Sequence, residues 1–148
     1  MTGRSFKEIS CEDLLPHRGR MLLVDEIIEI TSNYAVTAAT AKKSWPLADV
    51  DGVNPLVLIE LAAQTAGVCN SWNDLVSPGG KVVNKGWLVG IKKADFSVET
   101  IPLESRIITR ADNSHKYDML REITSIIKID NRGIAEVTLQ LIKAEEND

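Results

Sequence analysis

An α+β fold, with an antiparallel sheet curled around one long central helix, is what the sequence predicts, and three observations carry the prediction. One stretch with helical spacing is apolar on almost every side; two strand-like stretches precede it and four follow it; and no repeat, low-complexity run or linker divides them. A chain of 148 residues, 44% of them hydrophobic, holds material for one core, so residues 1–148 are expected to form a single domain.

Cys11 to Leu15 reads as a short amphipathic turn that Pro16 stops, because proline lacks the N–H a helix needs. Met21 to Ile30, Met-Leu-Leu-Val followed by alternating Ile and Glu, is expected to be the first strand. Tyr34 to Ala41 alternates small and β-branched residues and reads as its partner across the turn residues Thr31, Ser32 and Asn33. The helix starts where Asn54 can cap free amides and Pro55 can occupy the first helical position, and it ends before Pro78. Val57, Leu61, Thr65, Val68 and Trp72 recur at spacings of three and four and form its buried stripe, with Glu60, Gln64, Gly67 and Ser71 on the neighbouring line. Ala62, Ala63 and Ala66 fill the other faces, so the helix is expected to be enclosed. Beyond the loop cluster Ser77-Pro78-Gly79-Gly80, strands are expected over Trp87 to Phe96, Ser105 to Asp112, Met119 to Ile129 and Ile134 to Ala144. The last two are joined by Asp130-Asn131-Arg132-Gly133, where Gly133 is the residue expected at positive φ. This order is that of the hot-dog architecture. A lone sheet of this kind leaves an edge open, so at least a dimer with edge strands joined is expected.

Charge and composition exclude several functions. Seventeen Lys and Arg against twenty-one Asp and Glu leave a net charge of −4, which argues against a protein that tracks nucleic-acid phosphates. The longest apolar run, Pro55 to Ala63, is broken by Glu60, so no membrane span is expected. Charges in the first ten residues with no apolar run behind them predict no secretory signal and a cytoplasmic location. Cys11 and Cys69, far apart and without a CxxC partner, suit reduced buried thiols, and no metal or other cofactor is expected. The basic pairs Lys42-Lys43, Lys81 with Lys85 and Lys92-Lys93 are either solvated surface or a landing place for an acidic protein.

Glu60 stands out as a carboxylate in an otherwise apolar stretch of an enclosed helix. Burying it unpaired costs several kcal/mol, so it must be hydrogen-bonded, protonated, or facing a cavity. Either it is tied to a neighbour such as Gln64 as a structural device, or it is an acid or base. The helix start offers amides of Leu56, Val57 and Leu58 to a carbonyl oxygen developing negative charge, so Leu56 and Val57 are candidate substrate contacts. Trp45 and Trp72 flank this region in sequence and either wall an acyl or aromatic tunnel or belong to the core. Asp25 is expected to tether a backbone group or Arg18.

The run Leu14-Leu15-Pro16-His17-Arg18-Gly19-Arg20-Met21-Leu22-Leu23-Val24-Asp25 resembles the "LLPHRxPxLLVDR" opening of the short-chain β-hydroxyacyl-(acyl carrier protein) dehydratases. Leu58-Ile59-Glu60-Leu61-Ala62-Ala63-Gln64 resembles their "LxxEAxAQ" helix, Gly90-Ile91-Lys92-Lys93-Ala94-Asp95-Phe96 their "GIDKARF", and Ile101-Pro102-Leu103-Glu104 stands where they have "VPGD". The helix with its continuation to Ser71-Trp72 is more similar to a divergent branch, the predicted dehydratases found with aryl-polyene biosynthesis. The resemblance implies a hot-dog homodimer in which a histidine and a carboxylate from opposite subunits remove water from a β-hydroxyacyl thioester on acyl carrier protein. It places the carboxylate at Glu60 and Gly90 among the substrate-binding residues. Two positions depart from the family. Its catalytic histidine, in "GHFPG", has no counterpart in Lys43-Ser44-Trp45-Pro46-Leu47, and its "PG" at the helix start is Asn54-Pro55, which loses an N–H. His17 and His115 are the two histidines left. His17 stands in a motif whose histidine is regarded as structural in the family, and it is a candidate for packing or for catalysis. His115 is expected in an exposed polar turn.

Three functions follow. The first is a β-hydroxyacyl-thioester dehydratase of fatty acid or polyene-type biosynthesis with Glu60 as acid or base, helped by His17 or Gln64. The second is an acyl thioesterase, in which Glu60 activates water. The third is a non-catalytic subunit that pairs with an intact dehydratase. The expected partners are the acyl thioester on its carrier protein, a second copy or an oligomer of dimers, or that dehydratase.

Overall fold

The computed structural model describes residues 9–77, 79–80 and 86–143. Its first elements are the short helix α1 (Cys11–Leu14) and a 3₁₀ turn at Gly19–Met21. Strands β1 (Glu26–Ile30) and β2 (Tyr34–Thr40), the small hairpin β3 (Ala48–Asp49) and β4 (Gly52–Val53), and the long helix α2 (Val57–Val76) follow. The chain then runs through β5 (Gly86–Phe96), β6 (Arg106–Tyr117), β7 (Leu120–Ile129) and β8 (Arg132–Lys143). Six strands form one antiparallel sheet in the order β1-β2-β6-β7-β8-β5, and α2 lies across its inner face. That arrangement is the hot-dog fold expected from the order of elements.

Alternation along the strands selects the face that meets the helix. Ala35, Thr37 and Ala39 of β2, Ile107, Thr109 and Ala111 of β6, Ile123, Ser125 and Ile127 of β7, and Val137 and Leu139 of β8 are all buried. They meet Leu58, Leu61, Ala62, Thr65, Ala66, Val68 and Cys69 of α2, each of which is at most 1% exposed. Thr37 and Thr65 share a hydroxyl–hydroxyl hydrogen bond of 2.8 Å where the helix crosses β2, which satisfies two polar groups that carry no exposure. Of the expected stripe, Val57, Leu61, Thr65 and Val68 are buried, and Trp72 is half-buried against the same core. Among the described residues, no helix is long and apolar enough to cross a membrane.

The helix begins two residues later than the sequence suggests. Asn54 accepts the Leu56 N–H on its side-chain oxygen at 3.0 Å, and Pro55 and Leu56 form a turn closed by i to i+3 bonds from Val57, Leu58 and Ile59. Regular α-helix starts at Val57. Asn54→Ala removes that cap and is expected to cost about 1 kcal/mol, read as a lower Tm with no change in the activity per folded molecule.

Other expectations need correction. Met21 to Asp25 is not ladder: Met21 closes the 3₁₀ turn, and β1 begins at Glu26. Strand β6 continues to Tyr117, so His115 is no turn residue; it pairs with Glu122 across a bulge, its Nε2 3.7 Å from that carboxylate. The β7–β8 hairpin is a two-residue turn in which Asp130 (φ 51°) and Asn131 (φ 66°) take the positive φ values, and Gly133 belongs to β8. Asp and Asn tolerate this region because their short side chains bond locally. Hairpin β3–β4 has no strand-like run in the sequence and rests on Gly52 (φ 140°), where a Cβ would lie 2.4 Å from the Ile101 carbonyl oxygen.

Strand β5 is the far edge of the sheet. Among the described residues its outer backbone groups face no other strand, and Leu88, Val89 and Ile91 are 43%, 51% and 50% exposed.

Candidate active site

Pro16 ends α1, and the chain turns back across the N-terminal half of α2. Arg18 shapes that turn. Its guanidinium donates to the carbonyls of Leu15 (2.7 Å) and His17 (2.7 Å) from Nη1, and to that of Glu12 (3.0 Å) from Nη2. One carbonyl of the short helix and two just beyond it are satisfied by one side chain, and the backbone of His17 is fixed in the process. Of the two expected tethers for Asp25, backbone or Arg18, the structure shows the first. Asp25 accepts from the Thr40 N–H (2.8 Å) and from Lys42 Nζ (3.3 Å).

Held in this way, His17 points its Nε2 at Glu60 Oε1, 3.0 Å away. The second partner of that same oxygen is Gln64, one helical turn on, whose Nε2 donates at 3.1 Å. Gln64 is 1% exposed, and every end of its amide is used. Its Nε2 also reaches the Met21 carbonyl at 2.7 Å, and its Oε1 accepts from the Leu23 N–H at 2.9 Å. The amide therefore joins α2 to the segment Met21–Leu23 and to Glu60 together. Glu60 Oε2 accepts no hydrogen bond among the described residues, and the side chain is 38% exposed. One carboxylate oxygen is anchored and the other is open.

The imidazole is placed as unusually as the carboxylate. Its Nε2 faces the carboxylate, and its Nδ1 is buried without a hydrogen-bond partner among the described residues. Among the described residues, no carboxylate bonds the ring from that side.

Glu60, His17 and Gln64 are thus brought together, as candidates from distant parts of the sequence. The remaining candidates are not part of this cluster of contacts. Trp45 is 5% exposed and belongs to the hydrophobic core. The Leu56 N–H is engaged by Asn54 Oδ1 and the Val57 N–H by the Asn54 carbonyl, so the two amides expected to face a thioester oxygen already have partners. The Leu58 N–H bonds to the Pro55 carbonyl. Gly90 lies at a bulge in β5 opposite Gln140, whose Oε1 would be 2.8 Å from a Cβ there. The basic pairs are largely neutralised: Lys42 lies against Asp25, Lys92 against Glu122 at 3.1 Å, and Lys93 against Glu136 at 2.6 Å. Lys81 and Lys85 lie outside the described residues. Cys11 and Cys69 are both buried, and burial pushes the Cys11 thiol up from its ordinary range.

Missing from the sequence reading was Arg18 as the clamp on the His17 loop. Its signal was the arginine directly after a helix-stopping Pro-His pair, within reach of unsatisfied helix-end carbonyls.

Comparison with known proteins agrees with the motifs. Residues 9–148 match the ApeP-like family, described as ApeP dehydratase. The chain belongs to the ApeP-like dehydratases. A 3-hydroxyacyl-[acyl-carrier-protein] dehydratase FabZ of Streptococcus agalactiae is 31% identical over 141 residues, covering 90% of this chain and 93% of that one. Among solved structures, the dehydratase heterocomplex ApeI:P from Xenorhabdus doucetiae superposes with a TM-score of 0.84 at 17% identity, covering 93% of each chain. A hypothetical thioesterase with coenzyme A from Streptococcus pneumoniae has the same fold at a TM-score of 0.64 and 13% identity, over 83% of this chain and 88% of that one.

Proposed function

We propose that this ApeP-like protein is a dehydratase acting on a β-hydroxyacyl thioester carried by acyl carrier protein, with Glu60 as its acid and base. The observation that carries this reading is the state of Glu60: a carboxylate on an otherwise buried helix, with one oxygen fixed by two N–H donors and the other open to a ligand. The carrier protein is supported by the relative named for that substrate. Dehydration, and not hydrolysis, is supported by family membership, since a carboxylate alone serves either reaction. Purified protein incubated with β-hydroxyacyl and enoyl thioesters is expected to interconvert them, followed by enoyl absorbance, with no release of free thiol. Thiol release without interconversion would identify a thioesterase instead.

Two observations favour a second reading, assembly with an intact dehydratase. The histidine of the "GHFPG" motif is replaced in Lys43–Leu47, and the structural relative with a TM-score of 0.84 is a heterocomplex. In either assembly, the open edge of β5 with Leu88, Val89 and Ile91 is the natural junction, because it offers unpaired strand groups and apolar side chains together. Native mass measurement of the chain alone and with a co-expressed dehydratase separates a homodimer from a mixed one.

A further inference from the structure

We propose that Leu47 is a specificity-determining residue whose exposed side chain meets an alkyl portion of the thioester ligand; the inference rests on the reading above of a protein that acts on an acyl thioester. It begins from backbone strain. Among the described residues, the non-glycine residues at positive φ are Leu47 (64°), Glu104, Asp118, Asp130 and Asn131, and of these Leu47 is the apolar one. An L-residue in this region brings its Cβ against the following carbonyl oxygen, and leucine has no polar group that could bond locally to offset the clash. Burial does not offset it either, since Leu47 is 56% exposed. The φ belongs to this chain's own backbone and does not depend on what stands opposite.

The strained turn is held on both sides. Upstream, the Trp45 N–H donates to the Lys42 carbonyl (3.0 Å), and the Trp45 side chain is anchored in the core. Downstream, the Ala48 N–H donates to the Trp45 carbonyl (3.3 Å), and Ala48 pairs with Val53 in the β3–β4 hairpin. The Leu47 carbonyl itself accepts from the Asn54 N–H (3.0 Å), which pins the residue beside the start of α2. Strain that the surroundings over-determine in this way is typical of ligand clamps. The position suits one. Asn54 also holds the Leu56 N–H, and Leu56, 53% exposed, lies four residues before Glu60 and so on the same side of the helix. Met21, 48% exposed, has its carbonyl on the Gln64 amide that steadies Glu60. Three exposed apolar residues are therefore tied to the segment that carries the carboxylate, a setting for alkyl carbon beside a polar reacting group.

That carbon belongs either to the acyl chain or to the carrier arm, and a binding experiment that needs no turnover separates them. Saturated acyl-pantetheines of four, eight and twelve carbons, and octanoyl-N-acetylcysteamine, are titrated calorimetrically into the unaltered chain, Leu47→Gly and Leu47→Asn. Both replacements adopt this φ more readily, and asparagine keeps the size of the side chain without its apolar surface. In both variants Tm is expected to be no lower than before, and octanoyl-pantetheine to bind about tenfold more weakly. A loss that grows with acyl length assigns the contact to the acyl chain. A loss independent of acyl length, and missing with the N-acetylcysteamine thioester, assigns it to the carrier arm. Unchanged affinity overturns the inference, and a lower native mass alongside it would show that Leu47 meets a second chain instead. A sharp fall in Tm overturns it too, because Leu47 would then be packing within its own chain, as does an unaltered protein that binds none of these thioesters. The dehydratase reading is judged separately: weaker binding in the variants, with no interconversion of β-hydroxyacyl and enoyl thioesters by the unaltered protein, supports the inference and removes that reading.

Discussion

Glu60→Gln is expected to abolish turnover, with kcat down by about 10³-fold, while the protein melts at nearly its original temperature. The amide oxygen of glutamine can accept from both His17 and Gln64, as Oε1 does now, so the anchored half of the side chain is reproduced. Its NH₂ group then occupies the place of Oε2 and can only donate. Shape and hydrogen bonds are retained, and proton exchange is lost. Steady-state kinetics with β-hydroxyacyl and enoyl thioesters, set beside a melting curve, check both halves. Retained turnover would show that another group carries the chemistry. Glu60→Asp is a useful companion: the shorter side chain keeps a carboxylate but withdraws it from both donors, so partial activity is expected.

Gln64→Leu is expected to be the most destabilising change at the site, by about 2–4 kcal/mol, because it leaves the buried Leu23 N–H and the part-buried Met21 carbonyl without partners. For a chain of this size that lowers Tm by roughly 10 °C. Activity per folded molecule should fall as well, by about tenfold, since Glu60 keeps only one of its two donors. Denaturant unfolding measures the first effect, and kinetics normalised to folded protein the second. A variant with unchanged Tm would mean that water replaces both backbone contacts.

Much of the fold was legible in the sequence because two periodicities dominate it. The central helix declared itself through Val57, Leu61, Thr65 and Val68, and the last strands through their alternation and the Asp130-Asn131 turn. Hairpin β3–β4 was not legible, since two-residue strands have no period and this one depends on how closely Gly52 approaches Ile101. The extension of β6 through His115 was hidden for another reason: its residues are polar, and pairing with β7 overrides their weak strand preference.

At the site, Glu60 was visible as a charge in an apolar run. Its contact with His17, forty-three residues earlier in the chain, was not, because it depends on a turn whose shape is set by arginine-to-carbonyl bonds. The amides expected to meet a thioester oxygen have partners for a related reason. A helix start supplies free amides only where no side chain caps them, and here Asn54 lies within reach of the first.

The amide of Gln64 has a consequence for sequence variation. Both of its contacts outside the helix are to backbone atoms, the Met21 carbonyl and the Leu23 N–H, so the side chains at those positions can drift without disturbing the carboxylate. What cannot drift is the path of the main chain. A proline at position 23, or an insertion between 21 and 23, would act on Glu60 without changing a residue that touches it. In this protein, a few ångströms of plain backbone help to steady the carboxylate of Glu60.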